Sequence, residues 1–238
     1  MEFGTVKYGH LRKWLHFDGV DDYVNCGNDA SLNFTDAITI VAMIKVGGWV
    51  NNFPRLISKY ESFSLHLIAS THEVDMFIYQ NGELKHVTTE QSLSLNNVYL
   101  ITSIYDSETG FKIYIDESKA DLSGATYTRG AIDTNTNDVL IGQYENSVRF
   151  FKGDTYSVAL YNRALSDAEI SQIYDYVVNG KGEMITDGLV LWLDGDSIDI
   201  ENGIWHDKSG NGNDGIIYGA TYNSNWGEVK YGTIHYGV

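Results

Sequence analysis

Residues 150–174 read FFKGDTYSVALYNRALSDAEISQIY, and a strand pattern passes directly into a helix pattern within this stretch. The apolar run Tyr156–Tyr161 predicts a strand. Ser166 then predicts a helix N-cap, and Glu169, three positions later, completes a capping box. Apolar residues recur at helical spacing after this cap at Ile170, Ile173, Tyr174 and Val177. The sequence therefore predicts one short surface helix near residues 166–179.

Outward from this stretch, most of the chain reads as short strands separated by Gly and Asn. Asn81-Gly82 supplies two residues that tolerate positive φ, which predicts a tight hairpin. The loop Asp106–Gly110 predicts a second hairpin. Short apolar or alternating runs of the strand type occur at Ala37–Lys45, Ser62–Ala69, Val74–Tyr79, Tyr99–Tyr105, Phe111–Ile115, Val139–Ile141 and Leu189–Leu193. This spacing predicts an all-β sandwich or jelly roll.

Composition excludes several classes of protein. The 238 residues carry a formal net charge of −16, which repels phosphate backbones, so we expect no nucleic-acid partner. The single cysteine, Cys26, forbids an internal disulfide or a Cys-rich metal site. No apolar run reaches the ~18 residues of a membrane span, and no signal-peptide pattern opens the sequence. We therefore expect neither membrane insertion nor secretion by a leader.

The two ends of the chain resemble each other. Residues 3–9, FGTVKYG, align with residues 226–232, WGEVKYG, with five of seven positions identical. One interpretation is that so short a match arises by chance. The other reading is a repeat that was cut once, so that the start of one copy lies at the end of the chain.

Three stretches carry a family resemblance: LHFDGVDDYVNCG from Leu15, VLIGQ from Val139 with residues 150–174, and GLVLWLDGDSI from Gly188 with HDKSGNGNDGIIYGATY from His206. Together they resemble the laminin-G-like domains of the concanavalin A-like lectin/glucanase superfamily. Met43 departs from the pattern, since this family usually has tryptophan there. The resemblance implies an all-β, two-sheet antiparallel jelly-roll sandwich with one short surface helix.

The order of these stretches is rotated relative to the family. The third stretch normally opens such a domain, but here it closes the chain. We therefore expect one circularly permuted domain over residues 1–238, in which residues 188–238 supply the strands that usually come first. Those strands pair within their own chain or with a neighbour, and exchange between chains would produce a homo-oligomer.

Catalytic motifs are incomplete. Retaining glycoside hydrolysis needs two nearby carboxyl groups, and the resemblance suggests a strand of the form Glu-x-Asp-x-x-Glu or Glu-x-Asp-x-Glu. Glu73 and Asp75 match its start, but Phe77 or Ile78 occupies the partner position, so we expect a solvated polar side there and no enzyme activity. Cys26 reads as a buried small residue. None of the seven histidines pairs at metal-ligand spacing: His10, His16, His66, His72, His86, His206 and His235.

Acidic and amide side chains at short spacing are candidate calcium ligands, because Ca²⁺ takes six to eight oxygens. The candidates are Asp18, Asp21, Asp22, Asp154, Asp207, Asn211, Asn213 and Asp214. The resemblance also implies calcium in some members of the family. The alternative is equally physical, because Asp, Asn and Gly at this spacing build ordinary tight turns.

A sugar site needs an exposed aromatic ring with convergent polar groups. The segment Gly47–Phe53 predicts a loop, and within it Trp49, Asn51 and Asn52 are the candidate ligand-binding residues. The alternative is that Trp49 covers a sheet edge.

Two functions without catalysis remain. The first is a structural surface component of a virus particle or similar assembly (a decoration, fibre or tail protein). It would self-associate or bind other virion proteins, and folding in the host cytoplasm would account for the missing leader and disulfides. The second is a secreted or cell-surface lectin or adhesin module that binds glycans. We expect location on a virion or an extracellular surface, and the first function is preferred by analogy of fold.

Overall fold

The computed structural model describes residues 13–124, 129–145, 149–224, 229–230 and 233–234. Its single α-helix in these residues, α1, spans Asp167–Val177, and 3-10 turns span Ala30–Leu32 and Gly195–Ser197. The strands are β1 Trp14–Asp18, β2 Tyr23–Asn25, β3 Ala37–Val46, β4 Arg55–Lys59, β5 Phe63–Ile68, β6 Glu73–Gln80, β7 Glu83–Ser92, β8 Val98–Asp106, β9 Gly110–Ile115, β10 Ser118–Lys119, β11 Leu122–Ser123, β12 Val139–Ile141, β13 Lys152–Tyr161, β14 Leu189–Asp194, β15 Ile198–Asp199, β16 Ile204–Trp205, β17 Gly215–Tyr218, β18 Thr221–Asn223, β19 Val229–Lys230 and β20 Thr233–Ile234.

Two antiparallel sheets form the sandwich. The eight-stranded sheet has the order β10-β9-β8-β3-β13-β1-β18, and β14 also pairs with β13. The ten-stranded sheet has the order β11-β7-β6-β5-β4-β12-β2-β17-β16-β15, while β19 and β20 form a separate hairpin. The predicted all-β, two-sheet antiparallel sandwich with one helix is confirmed.

The core lies between the two sheets because side chains alternate along each strand. Inward-facing residues of both sheets belong to one apolar cluster that includes Phe17, Ile44, Leu65, Met76 and Trp205. Cys26 belongs to the same cluster, and burial raises the pKa of its thiol, as expected of a small core residue.

The helix packs on the outer face of the eight-stranded sheet. Ser166 accepts a hydrogen bond from the Glu169 amide, and the Glu169 carboxylate accepts one from the Ser166 amide, so the predicted capping box is confirmed. Arg163 also binds Glu169 through two nitrogens, at 2.6 and 3.1 Å, and lowers the pKa of Glu169 to about 2. The residues buried beneath the helix are Ile170, Ile173 and Val177, against Val41, Met43 and Leu100.

Both predicted hairpins are present. Asn81 and Gly82 have φ of 52° and 76° between β6 and β7, as a tight turn with two left-handed residues requires. Asp106 closes the turn between β8 and β9 by accepting the amide of Thr109 at 2.8 Å.

Residues 189–223 add strands to both sheets of their own chain. β14 pairs with β13, β18 with β1, and β17 with β2. Trp205 is fully buried in the core, and its Nε1 donates to the Asp194 carbonyl at 2.7 Å. The rotated order and exchange with a neighbouring chain stay predictions. Of the repeated ends, residues 3–9, 226–228 and 231–232 lie outside the described residues.

No helix in the described ranges has the length and apolar character needed to cross a membrane.

Candidate functional site

A row of polar side chains crosses four adjacent strands of the ten-stranded sheet. Arg55 in β4 pairs with His66 in β5, His66 with Asp75 in β6, and Asp75 with Thr88 in β7. Their neighbours along these strands lie in the core: Leu65, Leu67, Val74, Met76 and Val87. Because side chains alternate, the polar row lies on the outer face of the sheet.

Arg55 is the most unusual member of this row. It is 2% exposed, and its Nε and Nη1 have no hydrogen-bond partner among the described residues. Its Cζ lies 5.0 Å from the ring centre of Phe77 and 4.5 Å from that of Tyr144. Burial, with a smaller contribution from Arg149, lowers the pKa of Arg55 to about 9. The side chain is therefore a buried cation held between two aromatic faces.

His66 and Asp75 continue the row towards β7. His66 is 5% exposed, its Nδ1 has no partner within the described part of the chain, and its Nε2 lies 3.4 Å from Asp75 Oδ1. Burial, together with Arg55 and Arg149, lowers the pKa of His66 well below its usual range. The imidazole is therefore neutral at pH 7.

Asp75 corrects an expectation from the sequence. A solvated position beside Glu73 was expected, but Asp75 is 3% exposed. It accepts hydrogen bonds from Thr88 Oγ1 at 2.6 Å and from His86 Nδ1 at 2.9 Å, and burial raises its pKa. The expectation was wrong because β7 and β5 flank β6 and place polar partners around this carboxylate.

Arg149 and one further aromatic ring, that of Phe53, complete the site. The Arg149 Cζ lies 5.3 Å from the ring centre of Tyr144 and 5.5 Å from that of Phe53. Phe53 is 37% exposed and meets the His66 ring edge-on, with the ring centres 6.0 Å apart. We call Arg55, His66, Asp75, His86 and Arg149 the Arg55 cluster. With histidines counted as neutral, its two guanidinium groups outnumber its one carboxylate, although the whole chain carries −16.

The predicted ligand loop leads directly into this cluster. Trp49 is half-buried and stacks on His72, with the ring centres 4.2 Å apart. Asn51 donates to the carbonyl of Phe150 at 3.0 Å, so its amide ties this loop to the segment before β13. Asn52 is exposed. Ligand binding by these three residues stays a prediction, and the structure shows packing and loop-bridging contacts for Trp49 and Asn51.

The first predicted metal site is compact. Oxygens of Asp18, Asp21 and Asp22 lie within 4.8 Å of one another. Asp22 is 5% exposed, accepts the Asp18 amide at 2.7 Å, and has its pKa raised by burial. Three carboxylates at this spacing fit a hard cation such as Ca²⁺, and calcium binding here stays a prediction.

The second predicted metal loop is occupied by turn hydrogen bonds. The Asp207 carboxylate accepts the amides of Trp192, Ser209 and Asn213. Asp214 accepts the Asp207 amide at 2.7 Å. The amide nitrogens of Asn211 and Asn213 both donate to the Val190 carbonyl. These hydrogen bonds match the alternative interpretation, in which the loop is an ordinary tight turn that is held against β14.

Asp154 lies apart from both loops. It pairs with His16 across β1 and β13, and its carboxylate lies 2.7 Å from His16 Nδ1 and 3.3 Å from Lys45 Nζ. Because the Lys45 ammonium group lies beside it, we interpret the Asp154 carboxylate as a member of an ion pair rather than as a metal ligand.

Sequence reasoning did not single out Arg55, His86, Arg149 or Phe53, and it treated His66 as an isolated histidine. One signal was available. His66 and Asp75 each interrupt an apolar strand at an outward position, and Arg55 begins the strand before them, so polar residues at such positions in successive strands indicate a shared polar face.

A family model of the laminin-G type, described as the concanavalin A-like lectin/glucanases superfamily, matches residues 18–171. The chain belongs to this superfamily. The comparison with curated proteins found no match.

Solved structures are similar to this chain at low sequence identity, and the first of the three below shares its fold. A protein from Bacteroides ovatus ATCC 8483, provisionally described as carbohydrate-binding, is 18% identical with a TM-score of 0.70, over 93% of this chain and 60% of that one. A heptameric SAP-like pentraxin from Limulus polyphemus is 15% identical with a TM-score of 0.48, over 68% and 81%. A Trypanosoma rangeli sialidase is 18% identical with a TM-score of 0.46, over 59% and 23%. The chain thus spans 60% of the length of the Bacteroides protein.

Proposed function

We propose that this chain is a non-catalytic carbohydrate-binding module whose ligand site is the outer face of the ten-stranded sheet at the Arg55 cluster. The observation that carries the proposal is Arg55, a buried side chain with two unpartnered nitrogens beside aromatic rings. Buried polar groups are normally hydrogen-bonded, so such a group indicates a place where a ligand supplies the partner.

Aromatic and polar groups converge here as sugar binding requires. Phe53 offers an exposed ring. Tyr79 is half-buried and lies on the same face of β6 as Asp75. His86 lies at the edge of the cluster, with 38% of its side chain exposed. A sugar has apolar C–H faces that pack on rings and hydroxyl groups that bond to side chains of this kind.

Family membership supports binding without defining the ligand. The Bacteroides protein of the same fold is provisionally described as carbohydrate-binding.

Asp75 supports a role without catalysis. A retaining glycosidase needs a second carboxyl group about 5–5.5 Å from the first. The contacts of Asp75 in the described residues are Thr88, His86 and His66, which would hold it as a fixed acceptor rather than as half of a carboxylate pair.

A glycan array probed with the full chain tests the proposal. We expect binding that Phe53→Ala weakens by about five-fold or more, since burying the face of one ring contributes about 1–3 kcal/mol. The matched control is Tyr218→Ala, which removes a similarly exposed ring, 44%, from β17 in the same sheet. Binding to no glycan would remove the proposal, and a loss confined to Tyr218→Ala would place the site elsewhere.

The wider setting predicted from the sequence, a surface component of a virus particle or similar assembly, stays a prediction. Glycan binding is compatible with it, because surface proteins of particles also meet glycans. A solution mass that shows a large defined oligomer would support it, and a monomer would remove it.

A further inference from the structure

We infer that the ligand bound at the Arg55 cluster carries an anionic substituent, a carboxylate or a sulfate ester on a sugar, and that Arg55 and Arg149 bind this group. The inference rests on the proposed function, because it specifies the chemistry of the ligand at the same site.

Arg55 requires an acceptor that the described chain does not supply. Its Nε and Nη1 are buried without a partner, and none of the ion pairs in the described ranges includes it. A guanidinium group has only donors, and its parallel N–H pairs, in which Nε or Nη1 acts together with Nη2, match the two oxygens of a carboxylate or sulfate. An anionic oxygen pair is therefore the chemical complement of this side chain.

Asp75 attracts Arg55 electrostatically but forms no ion pair with it in the described ranges. His66 stands between them in the row of paired residues, so their strands are separated by one whole strand, or roughly 10 Å. The Asp75 carboxylate is instead occupied by Thr88 and His86. Arg55 thus has no hydrogen-bonded counter-ion in the described part of the chain, and a ligand can supply one.

Arg149 places a second guanidinium beside the first. Both guanidinium carbons lie over the Tyr144 ring, at 4.5 Å for Arg55 and 5.3 Å for Arg149. The charge of Arg149 contributes to the lowered pKa of Arg55, so the two cations repel each other, and an anion that reaches both reduces this repulsion. A chain with net charge −16 repels anions elsewhere, so this local pair of cations confers selectivity rather than general attraction.

Phe53 sets where the sugar ring of such a ligand lies. Its exposed ring packs against Arg149 at 5.5 Å and against His66 at 6.0 Å. A sugar stacked on Phe53 therefore holds its substituents close to Arg149, which shares the Tyr144 ring with Arg55.

Matched polymers test the inference by calorimetric titration of the full chain. The probes are oligogalacturonate, the same oligomer with its carboxylates reduced to alcohols, and a sulfated galactan oligomer. We expect one or both acidic probes to bind at least about ten-fold more tightly than the reduced oligomer, because a charge-assisted pair to a buried guanidinium is lost with the carboxylate. If only one of the two acidic probes binds, the result shows whether the site recognises a carboxylate or a sulfate.

Variants assign the effect to Arg55. Arg55→Met is expected to weaken acidic binding at least about thirty-fold. Arg55→Lys keeps the positive charge but lacks the planar fork of donors. Its affinity for the acidic probes is expected to lie between those of Arg55→Met and the native chain. The control, Lys119→Met, removes an exposed charge from the opposite sheet and should leave binding unchanged. Melting curves confirm that each variant folds, and if Arg55→Met does not fold, Arg55→Lys and Arg149→Met carry the test.

The outcomes separate the inference from the proposed function. If the reduced oligomer or a neutral array glycan binds through Phe53 as well as any acidic probe, the inference is overturned and the function stands. An equal loss in Lys119→Met and Arg55→Met overturns it too, since general electrostatics would then explain the binding. If no glycan of any charge binds, the proposed function fails and the inference fails with it.

Discussion

Replacing Arg55 by Met should stabilise the ligand-free protein while removing its acidic ligand. The pKa of Arg55 falls from an ordinary 12.5 to about 9, which corresponds to roughly 5 kcal/mol as an upper bound on the cost of burying the charge. Because the folded-state pKa is lowered and both values exceed 7, this cost is fully present at pH 7 and is relieved only as the pH rises through 9.

The expected gain is smaller than this bound. Arg55 loses its contacts with the Phe77 and Tyr144 rings, which contribute about 1 kcal/mol each. Met has a similar length and a flexible chain that fills irregular space, so only minor repacking costs are added. We expect Arg55→Met to gain about 2 kcal/mol, or about 4–8 °C in melting temperature for a domain of this size.

Urea and thermal unfolding at pH 7 measure this gain, with Lys119→Met as the control that should change stability by less than about 0.5 kcal/mol. A saturating acidic glycan should then raise the melting temperature of the native chain but not that of Arg55→Met. A fall of several degrees in the ligand-free variant would refute the reasoning, because it would show that the guanidinium is already well partnered in the free protein.

Three further predictions concern other parts of the molecule. Glu169→Gln should lower the melting temperature by about 2–4 °C at pH 7. Arg163 lowers the pKa of Glu169, so this carboxyl stabilises the fold only while it is ionised. The difference between the variant and the native chain should therefore vanish as the pH falls from 4.5 towards 2. Gly153→Ala should cost at least about 3 kcal/mol in urea unfolding because its Cβ would meet the β3 backbone and lie 2.7 Å from a Phe151 ring carbon, whereas Gly27→Ala, with open space around it, should cost only about 1–2 kcal/mol. If calcium binds as predicted, a chelator should lower the melting temperature of the native chain and not that of Asp22→Asn, and an unchanged native melting curve would discard the ion.

Local patterns made the fold readable from the sequence. The capping box at Ser166 and the Asn81-Gly82 turn are each encoded within a few residues, so their geometry follows from nearest-neighbour chemistry. The family resemblance agreed with the sandwich and the single helix that the strand spacing and the capping box already predicted. These local patterns do not specify which strands lie side by side in a sheet.

The Arg55 cluster depends on that missing information. Arg55, His66 and Asp75 are 11 and 9 positions apart in the sequence, and only the register of β4, β5 and β6 brings them into one row. Arg149 reaches the row from the loop before β13, almost a hundred residues after Arg55. Read singly, each polar residue looks like an ordinary surface position, which is why the exposed Trp49 loop was favoured instead.

A crystal structure of the full chain with a bound acidic oligosaccharide tests the central claim most directly. The account predicts a carboxylate or sulfate within hydrogen-bonding distance of Arg55 Nε or Nη1, with a sugar ring against Phe53. A ligand seated on the eight-stranded sheet, or one on the outer face with only neutral groups near Arg55, would contradict it.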